Sequence, residues 1–203
     1  MKIFDKIAKE WDLSSRRVLL AKNTFEAIEK KVPLSDQMEL IDIGTGTGLL
    51  LINFVDKVKH ITGVDNSAGM LEILKNKLEL NKINNVSLKL FEADTEILPE
   101  NRFDLAISNM TFHHIIKPSS FLKHVYSSLK PGGKICIADL ETEDGTFHKQ
   151  HSLDGVHHFG FDKQVFSNWL QEANFKNTTI ETIFEIDKEG RKFPVFLAYG
   201  EKI

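Results

Sequence analysis

The feature that most constrains this chain is a set of three glycines at every second position, directly after a short apolar segment. The segment Leu40-Ile41-Asp42-Ile43 is rich in β-branched residues and leads into Gly44-Thr45-Gly46-Thr47-Gly48, after which apolar residues resume. This order predicts a strand, a tight loop and a helix. Glycine has no Cβ to keep a ligand away from the backbone, and the following helix presents unpaired N–H groups at its start. The pattern therefore predicts a loop that holds a nucleotide.

Length and composition limit the remaining possibilities. The chain has 203 residues, of which 41% are hydrophobic and 15 are Phe, so it can bury the core of one domain of ordinary size. The formal net charge of −3 gives no electrostatic reason to expect a nucleic-acid partner. Cys136 is the only cysteine, which excludes an intrachain disulfide and argues against a cysteine metal site. No segment has the length of a membrane span or the layout of a signal peptide, so we expect a cytoplasmic protein.

Strand-like and helix-like patterns alternate along the middle of the chain. Strands are predicted near residues 39–43, 60–65, 86–91, 103–108 and 133–140, and helices near 49–57, 67–80 and 118–130. A helix that begins at Asp162 precedes two further strands, 176–186 and 193–200, which Lys188-Glu189-Gly190-Arg191 joins as a hairpin. The alternation predicts an α/β fold, namely a Rossmann-like, doubly wound sheet of seven mostly parallel strands, with an antiparallel last strand and helices on both faces.

The chain is expected to form a single domain, residues 1–203, with four consecutive parts. Apolar residues at helical spacing predict an N-terminal helical lid over residues 1–35. Residues 36–141 form the predicted cofactor-binding core, and residues 161–203 form the C-terminal helix and hairpin. Residues 142–160 are polar, punctuated by glycines and rich in histidine, which is typical of a substrate loop. The sequence does not predict an oligomeric state.

The register of the glycines distinguishes between nucleotides. A dinucleotide-binding loop has the pattern G-x-G-x-x-G, whereas the third glycine here comes one position early and Leu49 stands where that motif requires glycine. Asp65, at the end of the second predicted strand, is placed to accept hydrogen bonds from the ribose hydroxyls of nucleoside ligands generally. Asp42 adds a carboxylate two residues before Gly44, and this negative charge suits a cationic ligand better than a pyrophosphate. S-adenosylmethionine, with a sulfonium and an ammonium group, has that polarity.

Five motifs, in order and at compatible spacing, resemble those of one family. They are Leu40–Gly48, Gly63–Leu71, Phe91–Pro99, Phe103–Asn109 and Leu129–Lys134. On these motifs the chain resembles the class I S-adenosylmethionine-dependent methyltransferases, of the small-molecule type that includes the ubiquinone and menaquinone biosynthesis methyltransferases. The resemblance covers residues 36–140, with a looser match for the flanks. It implies an enzyme that uses S-adenosyl-L-methionine and releases S-adenosyl-L-homocysteine.

The resemblance also implies a set of cofactor contacts. The backbone of the glycine loop would lie beside the methionine portion, and Asp65 would accept from both ribose hydroxyls. Asp94 would accept from the adenine amino group, although a helix N-cap is an alternative role for this residue. Asn109 would face the methionine end, with a purely local loop role as its alternative. The implied cofactor residues are Asp42, Gly44, Thr45, Gly46, Gly48, Asp65, Asn66, Met70, Ala93, Asp94, Thr95 and Asn109.

Histidines are concentrated in two segments that border the acceptor pocket in the family fold. A neutral imidazole, with an ordinary pKa of about 6.5, is suited to take a proton from a hydroxyl, an amine or an activated carbon. The candidates for this catalytic role are His114, His157 and His158, with loop-ordering contacts as the alternative. The candidates for contact with the acceptor are Trp11, Arg16, His113, His148 and His151. The histidine spacing matches no compact zinc pattern, so no metal is predicted.

The methyl acceptor is expected to be a small organic molecule. Ser108-Asn109-Met110-Thr111-Phe112 spans the end of the fourth predicted strand and lacks the Asn/Asp-Pro-Pro-aromatic signature of methyltransferases that modify adenine N6 or glutamine amides. The resemblance implies in-line transfer of the methyl group, and the sequence does not separate O-, N- and C-methylation. Two alternatives remain open. One is a non-catalytic or regulatory protein that binds S-adenosylmethionine, and the other is a nicotinamide-dependent oxidoreductase, which Leu49 and Asp42 disfavour.

Overall fold

The chain folds around one mixed sheet, in a computed structural model that describes residues 3–148 and 155–203. The strands are Glu39–Ile43 (β1), His60–Asp65 (β2), Val86–Leu90 (β3), Phe103–Asn109 (β4), Leu129–Leu140 (β5), Lys176–Lys188 (β6) and Arg191–Glu201 (β7). They pair in the order β3-β2-β1-β4-β5-β7-β6. The pairs among β1 to β5 are parallel, and β7 runs antiparallel to both β5 and β6. The predicted fold class, including the antiparallel last strand, is confirmed.

The described part of the chain contains five α-helices beside the sheet. They are Ile3–Ile7 (α1), Ser15–Lys31 (α2), Ala68–Leu80 (α3), Pro118–Ser128 (α4) and Lys163–Glu172 (α5), with short 3-10 helices at Ala8–Leu13, Leu51–Phe54 and Phe112–His114. Ser14, Ser67 and Asp162 cap the starts of α2, α3 and α5, each by accepting a hydrogen bond from a backbone N–H group of the first turn. None of the helices in the described part of the chain has the length and apolar character needed to cross a membrane.

Each face of the sheet buries its own apolar cluster. Helices α2 and α3 pack on one face, and α4 and α5 pack on the other. Successive residues of a strand point to opposite faces, so Leu40 lies in the first cluster and Ile41 in the second. By the same alternation Asp42 points toward the face that α2 and α3 cover, and this carboxylate is buried.

The order of the strands reverses between β1 and β4. From β1 the sheet continues through β2 to β3 on one side, whereas β4 leads to β5 on the other. In open α/β sheets ligands bind in the crevice at the carboxyl ends of the strands, beside such a reversal. The glycine loop after β1 and the histidine pair after β4 both follow strands that end at this crevice.

The helix predicted near residues 49–57 is wrong. Only a 3-10 helix, Leu51–Phe54, forms there. The side-chain amide of Asn53 donates to the backbone carbonyls of Leu49 and Leu50, at 3.0 and 3.1 Å, and the backbone N–H of Asn53 donates to the carbonyl of Leu50 in a 3-10 pattern. A single 3-10 turn provides little helix dipole at the end of the glycine loop.

The boundary between α4 and β5 also differs from the prediction. The helix ends at Ser128 rather than near residue 130, and Leu129 already pairs with Phe103 of β4. The register then shifts before regular pairing resumes, and Gly132 has a φ of +81° in the shifted segment. Because glycine accommodates this conformation, the segment forms an irregularity within the strand instead of a stop before it.

Candidate active site

The glycine loop leaves an open space beside one of its three glycines. Gly44, Gly46 and Gly48 have φ values of +71°, +54° and +81°, which glycine adopts without steric cost. A Cβ on Gly44 would overlap the side chain of Thr111, and a Cβ on Gly48 would overlap that of Leu74. No described atom lies within 4 Å of the position that a Cβ on Gly46 would take. Close packing therefore holds the first and third glycines, whereas the second borders open space.

The carboxylate of Asp65 connects the glycine loop to the start of α3. Its Oδ2 accepts a hydrogen bond from the backbone N–H of Gly46 at 2.7 Å, and its Oδ1 accepts from the N–H of Ser67 at 2.8 Å. Each oxygen of an ionised carboxylate can accept more than one hydrogen bond. Asp65 therefore orders the loop and still has the chemistry to accept from ligand hydroxyls.

A second carboxylate lies buried beneath the loop. Asp42 is 1% exposed, and its Oδ2 accepts a hydrogen bond from Thr45 Oγ1 at 2.7 Å. Burial raises the pKa of Asp42 to about 7, the hydrogen bond from Thr45 opposes this shift, and the charge of Asp65 adds to it. The Asp42 carboxyl group consequently exchanges its proton near neutral pH, and a cation bound at the loop would favour the ionised form.

Two aspartates fasten the N-terminal segment to the site. Asp5 Oδ1 accepts from Ser67 Oγ at 2.6 Å and from the backbone N–H of Gly69 at 2.8 Å. A Cβ on Gly69 would lie 2.9 Å from Asp5 Cα, so glycine is needed for this approach. Asp12 Oδ1 accepts from Thr47 Oγ1 of the glycine loop at 2.5 Å. The segment predicted as a lid thus contacts both the loop and the start of α3.

Trp11 and Arg16, which the sequence predicts to contact the acceptor, also lie in this segment. The guanidinium of Arg17 stacks over the indole of Trp11, 3.6 Å from its centroid, and donates to the Trp11 carbonyl oxygen at 3.2 Å. Burial and the neighbouring charge of Arg16 lower the pKa of Arg17. Trp11 is therefore engaged by Arg17, and acceptor contacts of Trp11 and Arg16 remain predictions.

The carboxylate of Asp94 forms hydrogen bonds with the backbone just before α4. It accepts from the backbone N–H groups of Ile116 and Lys117 at 3.0 to 3.4 Å. This contact resembles the capping role that the sequence left open as an alternative, although the helix belongs to another segment. Ala93 is partly buried and Thr95 is exposed beside it. The contact of Asp94 with adenine stays a prediction.

The remaining predicted cofactor residues occupy different surroundings. Asn66 Nδ2 donates to the carboxylate of Glu92 at 3.3 and 3.4 Å, which joins the ends of β2 and β3. Met70 is 2% exposed, so most of its side chain packs in the interior. Asn109 Oδ1 accepts from Thr24 Oγ1 of α2 at 3.1 Å. Asn66 and Asn109 thus lie at the ends of β2 and β4, whereas Met70 packs inside, and the ligand contacts of all three remain predictions.

Three histidine rings and one carboxylate meet beyond the ends of β4 and β5. His113 Nδ1 lies 2.7 Å from Asp139 Oδ1, and the two side chains are 1% and 0% exposed. The ring centroids of His114 and His148 lie 4.0 and 5.1 Å from that of His113. Nε2 of His113 and Nε2 of His148 are buried and have no hydrogen-bond partner among the described residues. We refer to these four residues as the histidine cluster.

Burial and mutual repulsion determine the charges of this cluster. Burial, followed by the charge of His113, lowers the pKa of His114 to about 3 and that of His148 to about 4. Burial acts to raise the pKa of Asp139, but the charge and hydrogen bond of His113 and the N–H of Leu140 together lower it below its ordinary value. Near neutral pH the cluster therefore contains an ionised Asp139 and neutral His114 and His148.

Two of the predicted catalytic histidines bind backbone carbonyls. His114 Nδ1 lies 2.7 Å from the carbonyl oxygen of Gly155, and His158 Nε2 lies 3.0 Å from that of Ile115. A carbonyl oxygen only accepts, so these ring nitrogens donate. The contacts order the segment that follows β5, as the alternative interpretation of the sequence proposed. The catalytic roles of both residues remain predictions.

Of the other two predicted loop histidines, His157 and His151, the structure describes only His157. His157 is exposed, and its backbone N–H donates to the carbonyl of His113 at 3.0 Å. His151 lies outside the described residues. Within residues 3–148 and 155–203, no group of three or more His, Cys, Asp or Glu side chains is arranged to hold a metal ion.

Comparison with known families shows the family to which the chain belongs. Residues 14–180 match the family model described as a methyltransferase domain, which is well over half of the sequence. The chain belongs to this methyltransferase family. The resemblance to the class I S-adenosylmethionine-dependent methyltransferases is thereby confirmed.

Relatives and solved structures agree with this assignment. The methyltransferase domain is 33% identical to malonyl-[acyl-carrier protein] O-methyltransferase of Priestia megaterium over 83% of this chain and 60% of that protein. It covers 55% of an uncharacterized methyltransferase of Schizosaccharomyces pombe, at 26% identity, so it spans little more than half of these relatives.

Two solved structures share the fold. A Haloferax volcanii protein described as a methyltransferase, in complex with the Trm112 methyltransferase activator, superposes with a TM-score of 0.79, 16% identity and coverage of 100% of this chain and 98% of the other. Phosphoethanolamine N-methyltransferase 2 of Haemonchus contortus, in complex with S-adenosyl-L-methionine, superposes with a TM-score of 0.74, 19% identity and coverage of 89% and 52%.

Several site residues of the methyltransferase domain escaped the sequence analysis. Asp139 is the clearest, because it is the only charged residue in the apolar run 135–140 and a charge in a predicted buried strand is a signal in itself. Asp5 offered no comparable signal, since an acidic residue in a short amphipathic helix is usually solvated. Thr111 matters through its contact with Gly44, which only the folded chain creates.

Proposed function

We propose that the methyltransferase domain binds S-adenosyl-L-methionine at the glycine loop and transfers its methyl group in line to a small-molecule acceptor, leaving S-adenosyl-L-homocysteine. The observation that carries this proposal is the open space at Gly46, bordered by the carboxylate of Asp65 and underlain by that of Asp42. An acidic, glycine-lined space suits a cationic nucleoside and opposes a pyrophosphate.

The residues present fit this cofactor. Asp65 is placed at the end of β2 to accept from ribose hydroxyls, and Gly46 gives the ligand access to the backbone. Asp42, whose pKa is raised to about 7, would be held in its ionised form by the positive charge of the ligand. Asp94 and Asn66 lie on the adenosine side in this arrangement.

The chain's own task in this reaction is placement and exclusion of water. The bound cofactor supplies a methyl group on a positively charged sulfur that leaves as a neutral thioether. The domain holds the acceptor close to and in line with that methyl group, which lowers the entropic cost of the encounter. The N-terminal segment, fastened through Asp5 and Asp12, covers the loop and helps to keep water out.

A small organic acceptor fits the charge of the domain. The formal net charge of −3 provides no general attraction for a nucleic-acid backbone. Relatives carry names that specify a malonyl-acyl carrier protein and phosphoethanolamine as acceptors, which are a carboxylate and an amine, respectively.

Isothermal titration calorimetry with Asp65→Ala and a matched control tests the proposed cofactor site. Removing this carboxylate should weaken binding of S-adenosylhomocysteine by about 10- to 100-fold, the value of a charge-assisted hydrogen-bond pair. Asp56→Ala serves as control, because Asp56 is an exposed aspartate outside the site. NAD should not bind detectably to the wild-type protein.

The outcomes separate the alternatives. Tight binding of NAD without binding of S-adenosylhomocysteine would replace the methyltransferase proposal by an oxidoreductase. Binding of S-adenosylhomocysteine without transfer from methyl-labelled cofactor to any member of a metabolite pool would instead indicate a non-catalytic binding protein. Equal affinity in the Asp65 and Asp56 variants would show that the ligand site lies elsewhere.

A further inference from the structure

The histidine cluster contains buried polar atoms that no described residue satisfies. Across the described residues, His113 Nε2, His148 Nε2 and Glu143 Oε1 are the buried side-chain atoms without a hydrogen-bond partner. All three belong to the histidine cluster or to the segment that follows β5. An unsatisfied buried polar atom costs about 1–3 kcal/mol, so such atoms are rarely concentrated in one place unless a water molecule or a ligand completes them.

Asp139 fixes the orientation and the tautomer of His113. Its Oδ1 accepts from His113 Nδ1 at 2.7 Å and from the backbone N–H of Leu140 at 2.8 Å, while its Oδ2 accepts from the backbone N–H of His113 at 3.3 Å. An ionised carboxylate has no proton to donate, so Nδ1 of His113 carries the hydrogen. In the neutral ring the lone pair is therefore on Nε2, the atom that lacks a partner.

On the basis of the proposed function, we propose that His113 is a catalytic base and that the methyl acceptor reacts through a hydroxyl or an ammonium group. The reacting group would lie against Nε2 of His113 and beside Nε2 of His148. A carboxylate acceptor reacts without losing a proton and has no use for such a base. The His113–Asp139 pair therefore favours a protic acceptor over a carboxylate.

The atoms and charges of the step balance. The bond between the methyl carbon and the sulfur breaks, with its electron pair going to sulfur, while the acceptor oxygen or nitrogen bonds to the methyl carbon. The proton of the acceptor moves to Nε2 of His113, and the resulting imidazolium is paired with the ionised Asp139. General-base catalysis of this kind contributes about 100- to 10,000-fold to a rate.

The surroundings of His113 support this role. Asp139 faces it from β5, His114 adjoins it in the chain, and His148 faces it from the segment after β5. Both of these neighbouring imidazoles are neutral near pH 7, since burial lowers their pKa values. Lys188 is the further cation that acts on His148. The nearest fixed charge to His113 is thus the carboxylate that stabilises its protonated form.

The test compares His113→Asn with His124→Asn, a matched change of an exposed histidine on α4. Asparagine retains a donor for Asp139 but cannot act as a base. Single-turnover transfer is measured to catechol, phosphoethanolamine and the malonyl thioester of N-acetylcysteamine, which offer a hydroxyl, an ammonium and a carboxylate. We expect transfer to catechol or phosphoethanolamine to fall by about 100-fold or more in the His113 variant alone, with the affinity for S-adenosylhomocysteine changed by less than about threefold.

Nitrogen-15 NMR of the histidine rings provides a readout that requires no acceptor. We expect Nδ1 of His113 in the wild-type protein to carry a hydrogen that is bonded to Asp139, and Asp139→Asn to disturb this hydrogen bond. Transfer to the malonyl thioester alone, or equal rates in the His113 and His124 variants, would overturn the inference. A His113 ring whose Nδ1 carries no hydrogen would overturn it as well, even if none of the three probes is methylated. If the wild-type protein does not bind S-adenosylhomocysteine, the proposed function is contradicted instead.

Discussion

The two halves of the crevice differ in how their hydrogen bonds are completed. On the cofactor half, the carboxylates of Asp42, Asp65 and Asp94 all accept hydrogen bonds from the protein itself. On the acceptor half, buried nitrogens of His113 and His148 have no partner among the described residues. The first half is a preformed frame built largely on backbone groups. The second half leaves side-chain nitrogens without a described partner, so under the proposed function acceptor recognition would depend on side chains rather than on backbone groups.

The largest expected effect concerns the first glycine of the frame. In Gly44→Ala, the new Cβ overlaps Thr111 at a positive φ, so the free energy of unfolding should fall by roughly 3–5 kcal/mol. Gly46→Ala meets no described atom within 4 Å and should cost only about 1–2 kcal/mol. Urea denaturation of both variants measures this difference.

The same pair of variants separates structure from binding. Because a Cβ on Gly46 enters the open space beside the loop, Gly46→Ala should lose S-adenosylhomocysteine affinity by about tenfold or more while remaining folded. Calorimetry at equal protein concentration provides the comparison with wild type. If Gly46→Ala binds as tightly as wild type, the space beside Gly46 is not the cofactor site.

Asp42 provides the next effect, through pH. Its pKa is raised from 3.8 to about 7 in the folded chain, so between these values the folded state holds a proton that the unfolded state has released. The free energy of unfolding should therefore decrease by about 1.4 kcal/mol per pH unit from pH 4 to 7 on account of this group, and level off above pH 7.

Asp42→Asn isolates this contribution. Its asparagine carbonyl still accepts from Thr45 Oγ1, so the variant should gain stability relative to wild type as pH rises from 5 to 8, by on the order of 3 kcal/mol. Because a bound cation favours the ionised carboxylate, wild-type affinity for S-adenosylmethionine should also increase with pH more than affinity for S-adenosylhomocysteine. If the difference in stability between Asp42→Asn and wild type does not vary with pH, the raised pKa of Asp42 is contradicted.

The smallest effect concerns the covering segment. Asp5→Asn weakens the hydrogen bonds to Ser67 Oγ and the Gly69 N–H, which are worth about 1–2 kcal/mol together. We expect a loss of hydrogen-exchange protection in residues 4–13 and a change of a few fold in cofactor affinity. Glu10→Gln, on the same segment and exposed, is the matched control. Unchanged protection in the Asp5 variant would show that this contact does not fasten the segment.

The sequence predicts the cofactor half because each of its elements is local. The alternation of strands and helices, the three glycines and the acid after β2 all appear within short windows of the chain, and the sheet order follows from known rules. The α-helix predicted near residues 49–57 is wrong, because the apolar periodicity there does not distinguish an α-helix from the short 3-10 helix Leu51–Phe54 that forms. Local patterns do not report this difference.

The acceptor half could not be predicted in the same way. His113 and Asp139 are 26 residues apart and meet only because β4 and β5 are neighbours in the sheet. His148 reaches them from beyond β5, and His114 is fixed by a carbonyl 41 residues away. The sequence indicated that some of the histidines lie at the acceptor pocket. It did not distinguish the buried His113 from the histidines that order the loop.

The most direct test of the account measures affinity and turnover in Asp65→Ala and His113→Asn side by side. Calorimetry gives the dissociation constant of S-adenosylhomocysteine, and single-turnover assays at saturating S-adenosylmethionine give the transfer rate. We expect Asp65→Ala to lose affinity by about 10- to 100-fold and His113→Asn to keep it within about threefold while losing turnover. If both variants lose affinity equally, or if His113→Asn turns over as wild type does, the division of the crevice into a cofactor half and an acceptor half is contradicted.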